Sequence, residues 1–244
     1  MAGHSHWAKI KRAKGANDAK RGKVWSKIAR KIIIAARGGG DPRDNLSLRY
    51  VIDEARAENM PKDTIEKAIA KGTGELGAQN FENIVYEAYA PGGVALLVDV
   101  LTDNRSRTAP EMRKIFEVHG AKMANPGGAA QQFVKQGLIN IKPDAVTEDR
   151  LLELALEAGA EDVKTEPQGF TVITAPVTFL KVKEAIAAAG VAIEAGQIAN
   201  VPTNTVAVQG EAAGKVARLV EALEDHEDVQ NVWHNADMPE GVEA

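Results

Sequence analysis

The spacing of apolar residues changes near residue 78, and this change restricts the chain to a mixed fold. Across residues 20–72, apolar side chains recur every three or four positions, which is typical of amphipathic helices. From residue 82 onward, apolar runs of strand length alternate with further helical stretches. The sequence therefore predicts an α+β protein that begins with helices alone.

The helical part is predicted to contain three short helices. The first covers residues 20–37 and ends at glycines 38–40, because glycine suits the left-handed cap of a helix. The second is predicted to open with Asp41 as its N-cap and Pro42 as its first residue. The third begins near Pro61 and stops at Gly72. Three amphipathic helices with brief connections predict a small bundle.

Two α+β units are predicted to follow. Residues 131–199 show the order β-α-β-β-α-β of a split ferredoxin-like unit, with Gly137 placed at a hairpin turn. Residues 204–235 supply only one strand, one helix and one strand, which cannot close a sheet alone. We therefore expect this last segment to complete the partial unit at residues 78–130.

The predicted fold is thus an N-terminal three-helix bundle followed by two ferredoxin-like α+β domains, one inserted in the other. The predicted boundaries are residues 1–77 for a basic leader and the bundle, 78–128 plus 202–236 for a discontinuous domain, 129–201 for the inserted domain, and 237–244 for a frayed tail.

The formal net charge of −4 conceals a strong asymmetry along the chain. Residues 1–37 contain 11 Lys and Arg against one acid, which gives +10, whereas the remainder contains 19 basic and 33 acidic residues, which gives −14. Such an asymmetry is typical of a segment that binds a polyanion on an acidic body.

The basic residues of this segment lie in the leader and along one side of the first helix. Affinity for nucleic acid grows with each neutralised phosphate, so a line of cations with almost no acids favours this partner over a solvated helix face. Trp7 is a candidate for stacking on an unpaired base, whereas Trp25 lies on the apolar side and is predicted in the core. The candidate contact residues are Lys9, Lys11, Arg12, Lys14, Lys20, Arg21, Lys23, Lys27, Arg30 and Lys31.

A second candidate anion site lies at residues 102–108, where a buried strand passes into a helix. The N-terminus of a helix presents unpaired amide hydrogens and the positive end of its dipole. Arg105 and Arg107 therefore form a possible phosphate site. The alternative is that Asp103, Asn104 or Ser106 simply caps the helix.

Several other classes of function are disfavoured. With no cysteine there are no disulfides or thiolate sites, and the five histidines show no shared metal-ligand spacing. Residues 72–77 and 210–215 match nucleotide-binding motifs only in the wrong context or at the wrong spacing. No catalytic set is complete, so we expect no enzyme, cofactor, metal or small-molecule substrate. No apolar run approaches the roughly 20 residues of a membrane span, and no signal peptide is recognisable, so we expect a cytoplasmic protein.

Several long motifs resemble those of the YebC/PmpR family of bacterial regulators, which is related to the mitochondrial translational activator of cytochrome oxidase subunit one. They are GHSHWAKIK at 3–11, DAKRGKVWSKIARKI at 18–32, GGGDPRDNLSLR at 38–49, AENMPKDTIEKAI at 57–69, YEAYAPGGVA at 86–95 and LTDNRSRT at 101–108. Residues 127–133 depart from the family's usual glycine-serine-valine stretch.

The resemblance implies three domains, a helical bundle and two α+β units, and it covers essentially the whole chain. It also implies two kinds of target. Members of the family are described as transcriptional regulators that bind DNA, whereas the mitochondrial relative and some bacterial members act in translation on the ribosome. A DNA-binding regulator is our leading hypothesis, an RNA- or ribosome-associated factor is the alternative, and a nucleotide-dependent enzyme is a distant third. The sequence does not indicate an oligomeric state.

Overall fold

The computed structural model describes residues 18–77 and 80–239, with side chains from residue 22 onward. In this part of the chain a helical bundle is followed by two four-stranded sheets with helices packed on them. The predicted α+β fold class is confirmed.

The bundle consists of α1 (Asp18–Ala36), α2 (Leu46–Ala57) and α3 (Lys62–Gly72). Each helix buries one apolar face, because its apolar residues recur at helical spacing. The shared core is formed by Ile28, Ile32, Ile33 and Ala36 of α1, Leu48, Ile52 and Ala55 of α2, and Ile65 and Ala68 of α3. Trp25 packs against this core as predicted, and its Nε1 donates to the carbonyl of Glu58 at 3.0 Å.

The predicted start of the second helix at Asp41 and Pro42 is wrong. The N-cap of α2 is Asn45, whose side-chain oxygen accepts from the Leu48 amide at 3.0 Å. The same side chain donates to the carbonyl oxygens of Ala35 and Gly39, both at 2.7 Å, so it joins the end of α1 to the start of α2. Asp41 instead binds Arg43, and this hydrogen bond lowers the pKa of Asp41 to about 2.

The first sheet combines strands from the middle and the end of the chain. It runs β3-β1-β2-β9, all antiparallel, and α4 and α7 cover one face. A hairpin, β1–β2, forms its centre, and the late strand β9 completes it beside β2. The elements are β1 (Glu82–Ala90), β2 (Val94–Thr102), α4 (Arg105–Val118), β3 (Lys122–Met123), α7 (Gly210–Glu224) and β9 (Val229–His234).

The second sheet has the predicted β-α-β-β-α-β order and runs β5-β6-β4-β7. Its helices α5 and α6 pack on Ile139, Ile141 and Val172. A short parallel pair, β8 with β10, lies near the end of the chain. The elements are β4 (Phe133–Ile141), α5 (Glu148–Ala158), β5 (Asp162–Glu166), β6 (Gly169–Thr174), α6 (Phe179–Ala188), β7 (Ile193–Pro202), β8 (Val206–Ala207) and β10 (Ala236–Asp237).

The predicted hairpin turn at Gly137 is also wrong, because Gly137 lies in the middle of β4. A Cβ at this position would lie 2.3 Å from Thr174 Oγ1 and 2.5 Å from Phe179 Cδ2. The glycine thus permits a close approach of β6 and α6 rather than a turn. Asp237, the predicted start of the tail, lies in β10 opposite Ala207.

The two sheets pack against each other through the faces that their helices leave uncovered. Leu97 of β2 and Trp233 of β9 meet Leu138, Ile173 and Ala199 of the second sheet in one buried cluster. This contact explains the continuous apolar sequence of β2, because both faces of that strand are buried. The domain boundaries given above stay a prediction.

The loop that leads into β4 is held by Glu87. Its carboxylate accepts from the amides of Gly127, Ala129 and Ala130 at 2.6, 2.8 and 2.9 Å. Burial raises the pKa of Glu87, but these three donors outweigh that effect, so the pKa lies below its usual value. The residues that depart from the family pattern thus form a loop around a carboxylate of β1.

We predict that Gly72→Ala destabilises the bundle. A Cβ there would lie 2.4 Å from the carbonyl oxygen of Ile33 and 2.6 Å from Ala36 Cβ, so α1 and α3 would have to separate. We expect a loss of about 1–3 kcal/mol in urea unfolding. Gly22→Ala is the matched control, because it lies in α1 with nothing within 4 Å and should gain up to about 1 kcal/mol. Unchanged stability of Gly72→Ala would contradict this packing.

Candidate nucleic-acid interface

The basic side of α1 faces an acidic segment of the same chain. This acidic segment, residues 224–228, joins α7 to β9 and contains four acids in five positions. Lys23 Nζ lies 3.0 Å from Asp225 Oδ1, and Lys27 Nζ donates to the carbonyl of Glu224 at 2.7 Å. Since these lysines are one helical turn apart, they bind successive positions of the segment.

Arg30, one turn further along α1, binds the end of the acidic segment. Its guanidinium donates to the carbonyl oxygen of Glu227 and lies 3.4 Å from the carboxylates of both Glu227 and Asp228. Burial of Lys27 lowers its pKa, although the charges of Glu224 and Asp225 oppose the shift. Three of the contact residues predicted on α1 thus bind the acidic segment.

Asp228 is the one fully buried acid of this segment. Its Oδ2 accepts from Arg107 Nη2 at 2.6 Å and from Thr108 Oγ1 at 2.7 Å, while Oδ1 faces Arg30. Burial raises the pKa of Asp228, but the hydrogen bonds from Thr108 and Arg107 and the charges of Arg107 and Arg30 outweigh it. The pKa therefore lies below its usual value.

The predicted anion site at the start of α4 thus holds a carboxylate of the chain itself. Asn104 also caps α4, since its side chain accepts from the Arg107 amide at 3.1 Å. The capping interpretation of residues 102–108 is confirmed by Asn104, whereas the binding of an external phosphate by Arg105 and Arg107 stays a prediction. Asp228 and its neighbours were missed from sequence, although four acids in five residues were a visible signal.

The structure brings together some candidate residues and separates others. Arg30 and Arg107, predicted in two different patches, meet on Asp228. Lys31 lies apart and binds Glu54 of α2 at 2.8 Å. Arg105 is exposed. Burial raises the pKa of Tyr86, and the charges of Arg105 and Arg113 partly offset that rise.

Five candidate residues belong to the leader and lie outside the described residues, namely Trp7, Lys9, Lys11, Arg12 and Lys14. The backbones of Lys20 and Arg21 belong to α1, but their side chains are not described. Their proposed roles stay predictions.

Glu111, His226 and Asp228 lie close enough to suggest a metal site, yet their hydrogen bonds explain the cluster without one. His226 Nδ1 accepts from the Asp228 amide at 3.1 Å, so the neutral ring carries its proton on Nε2. Nε2 lies 3.1 Å from Glu111 Oε2 and donates to it. A metal would need that nitrogen unprotonated, and the adjacent guanidinium of Arg107 further disfavours a cation.

Two other surfaces are poor candidates for binding. Modules that read RNA on a four-stranded sheet stack bases on an open sheet face, but here Leu138 and Ile173 pack that face of the second sheet against the first. A groove of 170 Å³ between α2 and α6, beside Tyr50 and Lys183, is smaller than the roughly 300–1,000 Å³ typical of small-molecule sites.

None of the helices in the described ranges has the length and apolar character needed to cross a membrane.

We predict that Asp228→Ala lowers the free energy of unfolding by about 2–4 kcal/mol at neutral pH, since it leaves Arg107 and Thr108 without their shared acceptor. Asp225→Ala is the control, because its pair with Lys23 is exposed and is worth about 0–1 kcal/mol.

The pH dependence of this difference tests the charge of Asp228. Its pKa is lower in the folded than in the unfolded chain, so the stabilisation is fully present above about pH 4 and is lost as the pH falls through the folded-state pKa. The stability gap between wild type and Asp228→Ala should therefore narrow in acid. A gap that is constant from pH 7 into the acid range would show that the carboxylate charge contributes nothing.

Comparison with known proteins gives strong matches over the whole chain. A protein of Desulfatibacillum aliphaticivorans is 51% identical over 241 residues, covering 98% of both chains. One of Treponema denticola is 48% identical over 244 residues, covering 100% of this chain and 99% of the relative. Both carry the name probable transcriptional regulatory protein.

A solved structure and two family models agree with these matches. The crystal structure of a conserved hypothetical protein from Aquifex aeolicus is similar with a TM-score of 0.82 and 44% identity, covering 91% of this chain and 93% of that one. The TACO1/YebC N-terminal domain matches residues 5–75, and the TACO1/YebC second and third domain matches residues 81–236. The predicted resemblance is thereby confirmed, and the chain belongs to the TACO1/YebC family.

Proposed function

We propose that this chain is a non-enzymatic, cytoplasmic regulator of gene expression that binds nucleic acid through its basic leader and α1, with DNA as the leading target. The names of its relatives support a regulator of gene expression. The charge of +10 in residues 1–37 supports a polyanion as the partner.

One observation carries the structural part of the proposal. Arg30 of α1 and Arg107 of α4 approach the same carboxylate, Asp228, from two different elements. Two cations and the N-terminus of a helix thus converge on one position that holds an anion. The basic residues of the leader directly precede α1, so the two form one continuous basic stretch of the sequence.

RNA on the ribosome is the second candidate target, and the position of α1 favours it in one respect. A helix that reads duplex DNA places its polar face in the major groove. In α1, Lys23, Lys27 and Arg30 instead face the acidic segment. Phosphate contacts by the leader do not require a helix in a groove, and they suit folded RNA as well as duplex DNA.

Crosslinking in cells, followed by sequencing of both DNA and RNA, separates the two targets. We expect enrichment at discrete chromosomal sites if DNA is the target. Enrichment of ribosomal RNA without chromosomal sites would replace the DNA hypothesis with the translational one. Absence of crosslinks to either would contradict the proposed function.

We predict that changing Lys9, Lys11, Arg12 and Lys14 together to glutamine weakens binding to DNA and RNA. Each duplex phosphate contact that is lost should reduce the slope of log affinity against log salt by about 0.9. Filter binding across a salt series measures both effects. The control changes four exposed lysines in the second sheet, its helices and the loop after β4 to glutamine, namely Lys135, Lys142, Lys164 and Lys181. Equal losses in both variants would mean that only total charge matters.

We also predict that Arg105→Gln reduces the slope of log affinity against log salt by about 0.9, the loss of one phosphate contact. The urea midpoint of unfolding should stay unchanged, because Arg105 is exposed at the start of α4. Arg107→Gln is unsuitable for this test, since it removes the bond to Asp228. Arg150→Gln, exposed on α5, serves as the control. An unchanged slope for Arg105→Gln would leave α4 with a capped N-terminus and no phosphate contact.

A further inference from the structure

The acidic segment lies where phosphates would have to lie for α1 to bind nucleic acid. Lys23, Lys27 and Arg30 of α1 all bind residues 224–227 of the segment. A carboxylate and a phosphate oxygen use the same donors with similar geometry. A polyanion and the acidic segment therefore cannot bind these side chains together.

The contact has an exposed part and a buried part. The side chains of Lys23 and Asp225 are 51% and 65% exposed, and Glu227 is 62% exposed. Pairs with this exposure contribute little and weaken with salt. Asp228 is fully buried and also bound by Thr108 of α4. The edge of the contact can therefore open while Asp228 stays in place on α4.

Lys27 shows what opening would change at the level of one side chain. Its ammonium donates to the carbonyl of Glu224 at 2.7 Å, and partial burial lowers its pKa. In this position the ammonium is not available to an external phosphate. Separation of α1 from the segment would free this donor.

From this geometry we propose that the acidic segment inhibits nucleic-acid binding by α1, so that docking of the segment and binding of the polyanion are mutually exclusive. The inference rests on the proposed function, because it assigns a regulator to the same basic surface. The apparent affinity then equals the intrinsic affinity multiplied by the fraction of molecules in which α1 is free. A change in the acidic segment that weakens docking must therefore tighten binding.

Neutralising the exposed acids tests this relation without altering a basic residue or Asp228. We expect Asp225→Asn with Glu227→Gln to bind a DNA duplex and a single-stranded RNA about three- to tenfold more tightly, as the loss of two exposed pairs implies. Asp144→Asn with Glu157→Gln is the matched control, because it removes the same charge from exposed positions outside the segment.

A distance measurement tests the same inference directly. The chain contains no cysteine, so Ser26→Cys on α1 and Ala217→Cys on α7 accept two spin labels with no background. We expect one distance in the free protein and a longer, broader distribution after saturation with the duplex or the RNA. Asp225→Asn with Glu227→Gln should shift part of the population in this direction without nucleic acid.

The outcomes separate this inference from the proposed function. The proposed inhibition is wrong if nucleic acid binds tightly while the distance between the labels stays unchanged. It is also wrong if the two double variants bind with equal affinity. Either result leaves the proposal of nucleic-acid binding intact. Failure of every variant to bind either probe at low salt overturns the proposed function, and the inference with it. A gain confined to the segment variant, together with the change in distance, supports both.

Discussion

The Asp228 carboxylate holds together three parts of the chain that are distant in sequence. Thr108 and Arg107 of α4 bind one of its oxygens, and Arg30 of the bundle faces the other. The backbone carbonyl of Asp228 accepts from the amide of Leu101 in β2 at 2.8 Å. A buried carboxylate without these donors would be strongly destabilising. The position of the bundle on the first sheet therefore depends on this group and on the pairs around it.

A second contact holds the bundle to the other sheet. Tyr50 of α2 donates its hydroxyl hydrogen to the carbonyl of Gly196 in β7 at 2.8 Å, and its ring packs edge-on against Phe179 of α6. Burial raises the pKa of Tyr50, so the hydroxyl keeps its proton as a donor. This contact also includes an exposed ion pair between Arg49 and Glu184. The bundle thus has a largely apolar, hydrogen-bonded contact on one side and a predominantly charged contact on the other. Salt weakens the charged contact more strongly.

Much of the fold was predictable because apolar spacing reports burial directly. The helices of the bundle, the hairpin β1–β2 and the β-α-β-β-α-β unit all have clear periodicity. The errors at Asp41 and Gly137 have a common origin, since turn residues were interpreted from local chemistry alone. Gly137 is required by Phe179, 42 positions later. For the candidate site, sequence identified the cations but not their partner, because the meeting of Arg30 with Asp228 depends on tertiary structure.

The late position of β9 has a consequence for synthesis of the chain. Strand β2, ending at Thr102, pairs with a strand that begins at Val229, so the first sheet stays open on one edge while more than a hundred residues are translated. The second sheet can close earlier, when β7 emerges. Contacts between such distant segments form slowly, and an unpaired apolar edge favours aggregation during that interval. Throughout it Lys23, Lys27 and Arg30 of α1 also lack the acidic segment, so the nascent chain presents these cations to the surrounding polyanions before the completed fold binds them.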